Sequence, residues 1–90
     1  MDKSHRELER IVKGFANHRR IAIIEILEKT PELSVLEISA KFNTNFKTTS
    51  EHIRRLAISG LVLKRSAHQS VRHKLTERGL AILKFLRTLE

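Results

Sequence analysis

Ser34-Val35-Leu36-Glu37-Ile38-Ser39-Ala40-Lys41-Phe42-Asn43-Thr44-Asn45-Phe46-Lys47-Thr48-Thr49-Ser50-Glu51-His52-Ile53-Arg54-Arg55-Leu56 is the stretch whose reading decides the fold. Ser34 and Glu37 have the spacing of a capping box: the Ser hydroxyl serves the amide three residues on, and the Glu reaches back. They open a short helix to about Phe42, expected to bury Val35, Ile38 and Phe42. Asn43-Thr44-Asn45 is a three-residue turn, and its two Asn tolerate left-handed or cap geometry. A longer helix follows from Phe46 to Ser59, with Thr49, Ile53 and Leu56 on its inner face, and Gly60 ends it at a left-handed position.

Working outward, the period changes after Gly60. Leu61-Val62-Leu63-Lys64-Arg65 and Val71-Arg72-His73-Lys74-Leu75 have β character, and polar Ser66-Ala67-His68-Gln69-Ser70 joins them as a hairpin. Thr76 caps a last helix to about Leu89, with apolar Leu80, Leu83, Leu86 and Leu89, and Ile82 and Phe85 to one side. Gly79 inside that helix costs stability and lets something pack closely. Upstream, residues 4–15 read as a helix with Leu8, Ile11, Val12 and Phe15 on one face, and Gly14 weakens its end. Asn17 caps a second helix from His18 to about Lys29, with Ile21, Ile24, Leu27 and Ile23 facing inward. Thr30-Pro31 stops it. The expected fold is mostly α (α+β), about five helices with a β-hairpin before the last. A short helix, tight turn and longer helix followed by a hairpin is the winged helix-turn-helix arrangement.

The chain resembles the ArsR-like winged-helix regulators, and more loosely the MarR-like ones, over nearly its whole length. Phe15-Ala16-Asn17-His18-Arg19-Arg20-Ile21-Ala22-Ile23-Ile24-Glu25-Ile26-Leu27 is similar to that family's second helix, and residues 38–56 to its DNA-reading pair of helices. Gly60-Leu61-Val62 and Leu75-Thr76-Glu77-Arg78-Gly79 resemble the segments that flank its wing. The resemblance implies DNA binding, repression and a homodimer. It also exposes a departure: Ser34 and Leu36 stand where many members carry two metal-sensing Cys. Residues 76–90 hold no His or Asp for the family's other metal site, so no metal and no cofactor is expected. The resemblance names no effector.

Composition bounds the function. Ninety residues suit one domain, residues 1–90, and a chain so short gains stability by dimerising. It has no Cys, an uncharged run too short to span a membrane and no leader-like start, so a cytoplasmic protein with no membrane association is expected. An enzyme is not expected: there is no Gly-rich phosphate loop, no Asp beyond Asp2 and no His–carboxylate cluster with metal spacing. The net charge of +8 is uneven. Residues 1–45 carry 8 basic and 7 acidic side chains, whereas residues 46–90 carry 10 and 3. A half so poor in acids presents a field suited to phosphates.

In such an arrangement the second helix of the pair enters the major groove by its N-terminal residues. Its non-core positions are Phe46, Lys47, Ser50 and Glu51, with Arg54 a turn further on. Lys47 can donate to guanine or phosphate, and Ser50 can pair with either kind of base edge. Glu51 can accept from cytosine or pair with Arg54 or Arg55. Phe46 either touches a thymine methyl or packs against Phe42 or Ile38. Thr48 is a small surface residue beside them, His52 a half-buried packing residue, and the amides near Thr44 and Asn45 can hold a phosphate. On the wing, residues 61–75, the candidates are Lys64, Arg65, His68, Arg72 and Lys74. Strand alternation puts Lys64 and Arg65 on different faces, and Arg72 and Lys74 on one face with His73 opposite.

Leu8, Ile11, Val12 and Phe15, with Leu83, Leu86 and Leu89, either form a dimer surface or belong wholly to the protomer's core. An isologous dimer would hold two reading helices about 34 Å apart on an imperfect inverted repeat of double-stranded DNA. The competing function is a winged-helix protein-interaction adaptor without specific DNA binding. RNA is a third partner, disfavoured because one Phe offers bases little to stack on.

Overall fold

A computed structural model describes residues 2–90, and each helix begins at a side-chain cap. Helix α1 is His5–Phe15, α2 His18–Lys29, α3 Val35–Phe42 and α4 Phe46–Ile58; strands β1 Val62–Ala67 and β2 Ser70–Leu75 precede α5, Glu77–Arg87. Five helices with a two-stranded antiparallel hairpin before the last make a winged helix-turn-helix. The Ser34–Glu37 capping box is formed at both bonds, 3.1 and 3.0 Å. A second one, Ser4 with Glu7, opens α1, so the helix starts one residue later than expected and Ser4 is its cap. Asn17, Asn45 and Thr76 cap α2, α4 and α5 through their side chains.

The end of α4 is a Schellman motif. Gly60, at φ 78, donates to the Ala57 carbonyl and Leu61 to that of Leu56. Helix α4 therefore closes at Ile58, with Ser59 as its cap. The hairpin is longer than its sequence implied, because residues 66, 67 and 70 pair as well. Only His68 and Gln69 turn the chain, and His68 takes the positive φ of 56 that an Asn or Gly would ordinarily supply. Leu33 adds a bridge on the free side of β2: the His73 amide donates to the Leu33 carbonyl and the Glu32 amide to the His73 carbonyl.

One core joins all elements: Phe15 from α1, Ile23, Ile24 and Leu27 from α2, Ile38, Ile53 and Leu56 from α3 and α4, then Leu61, Val62, Leu75 and Leu83. Expectations fail at its margin. Phe42, expected inside, and Leu80 are exposed, and Val35 and Ile21 are only half-buried. Phe15 and Leu83, offered either as dimer residues or as core, lie inside this core at 6% and 1% exposure. Gly14 does more than weaken a helix end: a Cβ there would overlap Ser59, so the glycine lets α1 seat against the end of α4. Gly79 does the same for α5, where a Cβ would overlap the Leu61 carbonyl.

Candidate nucleic-acid interface

The turn between α3 and α4 is three residues long, and each of them is tied to one of the two helices. Asn43 takes a left-handed conformation at φ 51 and ends α3. Asn45 accepts a hydrogen bond from the Thr48 amide at 2.8 Å and starts α4. Between them the hydroxyls of Thr44 and buried Thr49 bond at 2.7 Å, which ties the turn to the inner face of α4. Thr44 and Asn45 thus fix the helix's start, and Asn45 spends its side-chain oxygen on the Thr48 amide.

With Thr49, Ile53 and Leu56 buried, helical geometry leaves Lys47, Ser50, Glu51 and Arg54 on the opposite side. Phe46 is 54% exposed at the start of α4, so the core does not absorb it. Glu51 is gripped by Arg54 in a fork, Nε to Oε2 at 2.8 Å and Nη2 to Oε1 at 2.7 Å, while Arg55 Nε lies 3.3 Å from Oε1. The Arg54 hydrogen bond, more than any other effect, pulls the Glu51 carboxyl down to about 2. Glu51 is therefore ionised at any ordinary pH and neutralises part of the charge that Arg54 and Arg55 offer to phosphates.

On the wing the register pairs Arg65 with Arg72, Leu63 with Lys74 and Lys64 with His73. Arg65, Arg72 and Lys74 share a face, and Lys64 lies on the other. Two like charges directly opposite repel, and here carboxylates intervene. Arg65 Nη2 sits 3.2 Å from Glu32 Oε2, and Arg72 Nη1 donates to Glu37 Oε1 at 2.7 Å and to the Glu32 carbonyl at 3.2 Å. Arg72 Nε also reaches Ser70 Oγ. Arg65 and Arg72 thus clamp the hairpin to the start of α3, while Lys64 and Lys74 are exposed without an ion pair among the described residues, and His68 stands at the tip.

His73 was expected opposite Arg72 and Lys74, and it is; the sequence did not show that it is buried. Its Nδ1–H donates to the Leu33 carbonyl at 2.7 Å, and burial, helped by Lys64, holds the imidazole below its ordinary range. Of the other apolar residues offered for an interface, Ile11 and Leu86 are half-buried and pack against the core, Leu8 is half-buried, and Val12 and Leu89 are 50% and 68% exposed. Ile58 and Phe85 are exposed as well, Ile58 because α4 turns it away from the core where Ile53 and Leu56 face in. No cluster of three metal-binding side chains occurs among the described residues, and none of their helices is long and apolar enough to cross a membrane.

A family model described as winged helix-turn-helix DNA-binding matches residues 17–62, which run from the cap of α2 to the first residue of β1. No curated protein sequence matches. Among solved structures, HlyU from Vibrio cholerae N16961 superposes with a TM-score of 0.82 at 31% identity, over 99% of this chain and 97% of its own. The transcriptional regulator HlyU from Vibrio vulnificus CMCP6 gives 0.74 at 35% identity, over 91% and 85% of the two chains. The homodimeric winged helix-turn-helix DNA-binding domain Mb0332 from Mycobacterium bovis, a possible ArsR-family regulator, gives 0.79 at 25%, over 99% and 87%.

Proposed function

The chain belongs to the winged helix-turn-helix DNA-binding family and is a DNA-binding transcription regulator; we propose that it acts as a homodimeric repressor on an imperfect inverted repeat. One observation carries the reading. The capped turn Asn43-Thr44-Asn45 holds α4 so that Thr49, Ile53 and Leu56 are buried, which leaves Lys47 and Ser50 open to base edges, Phe46 to a thymine methyl, and Glu51 and Arg54 to base edges once their mutual ion pair opens. Lys64, Lys74 and His68 of the wing meet the backbone and the adjacent minor groove, and Arg65 and Arg72 do so only if they share or release Glu32 and Glu37. Val12 and Leu89, with half-buried Leu8, Ile11 and Leu86, supply the dimer surface, and the homodimeric Mb0332 domain supports that assembly.

The test is binding to duplex from the gene's own upstream region and to random duplex at two salt concentrations. Tighter binding to the first, weakening linearly in log–log salt, is the expected result. Weak and equal binding to both would leave the protein-adaptor reading standing.

A further inference from the structure

The basic residues of α2's first turn belong to neither α4's outer face nor the wing, yet they lie beside the reading helix. His18 and Arg19 form one wall of a cleft of about 280 Å³ whose other walls are Asn43 and Thr44 of the turn and Thr49 and His52 of α4, with Ala22, Ile23 and Phe42 as its apolar lining. No carboxylate lines it. Next to it, Arg20 is half-buried between α2 and α4, and its Nε and Nη1 are buried without any hydrogen-bond partner. The one nearby acid, Glu51, is already held by Arg54 and Arg55. Two cationic side chains, Arg19 and Arg20, and two imidazoles, His18 and His52, therefore surround one flank of α4 with a single, committed counter-charge. Buried donors ordinarily find partners, so this flank has the chemistry to hold an anion.

We propose that this flank, centred on Arg19 and His52, binds a backbone phosphate of the DNA whose major groove α4 occupies. The proposal rests on the DNA-binding reading above. It follows from position: with the N-terminal half of α4 in the groove, the turn and the adjacent side of the helix lie along the strand that bounds that groove. Side chains lead the contact, because the Asn17 side chain already takes the Arg19 and Arg20 amides.

His52 also makes the contact sensitive to pH. In the free protein its imidazole is held below its ordinary range, first by burial, then by Arg20 and Arg19, with His18 adding and Glu51 opposing. A phosphate reverses that balance, so binding takes up a proton and tightens as pH falls from 8 towards 6.

The experiment measures binding of fluorescent duplex across salt and pH for the wild type, Arg19→Gln, His52→Gln and, as a charge control on α5, Lys84→Gln. Thermal melting of each confirms the fold. Arg19→Gln should weaken specific and random duplex alike by several-fold and lower the salt slope by about 0.9. His52→Gln should flatten the pH dependence. If Arg19→Gln matches Lys84→Gln in affinity and slope, the proposal is wrong. If, in addition, inorganic phosphate shifts the His18 and His52 imidazole signals of the wild type but not of Arg19→Gln, the site takes a free anion, which also overturns it. Wild-type protein that ignores DNA would fail at the earlier step, sinking the regulator reading as well.

Discussion

Glu51 shows how much a single side chain changes the meaning of its neighbours. The sequence allowed it to read cytosine or to pair with Arg54 or Arg55, and the fork geometry realises the pairing with both arginines. Exposed pairs of this kind contribute little to stability, so DNA can compete for both partners. Glu51→Gln should therefore raise affinity for random duplex by roughly two- to fivefold, read by titration at low salt; an unchanged affinity would mean that the pairs are already open on DNA.

His73 makes the opposite case. Its neighbours Arg72 and Lys74 suggested a polar strand, and only the bridge to Leu33 reveals that this residue closes the base of the wing. Its folded pKa is lowered, so the unfolded chain binds the proton more readily. Stability is then fully present above the ordinary histidine range and falls as pH drops below about 6.5. His52 works in the same direction. Denaturant unfolding at pH 7.5 and 5.5 should show the wild type losing more stability than His73→Gln, whose fold is weaker at the start by about 1–3 kcal/mol.

At the scale of elements, caps were legible because they are local. Ser34 with Glu37, Asn17, Asn45, Gly60 and Thr76 all act where their spacing to the next hydrophobic run placed them. Removing one has a local cost: Asn45→Ala should destabilise by about 1 kcal/mol, visible in thermal melting, and weaken DNA binding further because α4 frays at its reading end. The helix glycines were harder. Gly79 looked like a loss of helix propensity, yet its missing Cβ admits the Leu61 carbonyl. At an exposed helical position Gly→Ala stabilises by up to about 1 kcal/mol. Gly79→Ala should instead destabilise by about 1–3 kcal/mol, since a backbone carbonyl cannot rotate out of the way. A raised melting temperature would refute the close approach.

At the scale of the molecule, the question is which apolar residues are left over. Alignment along a helix face grouped Phe15 with Val12 and Leu83 with Leu89, but the core takes the first of each pair and leaves the second in solvent. If the leftover surface is the dimer seam, Leu89→Glu and Val12→Glu should yield monomers by sedimentation velocity while the melting of the protomer's helices persists. Binding to an inverted repeat should fall towards half-site affinity. Dimers that survive both substitutions would move the seam elsewhere, with exposed Ile58 and Phe85 the next residues to change.

The sequence by itself determined the order of elements, the helix starts and stops, the three-residue turn and the basic bias of residues 46–90. Those features arise from backbone groups seeking partners within about one helical turn, so the residues that decide them are neighbours in the chain. Only the tertiary structure decided that His73 is buried, that Arg65 and Arg72 are bound to Glu32 and Glu37, and that α2's first turn meets the flank of α4. Arg72 lies 35 residues from its carboxylate partner, and His73 lies 40 residues from the Leu33 carbonyl to which it donates. Their energies depend on distance and burial, which exist only once the chain has closed upon itself.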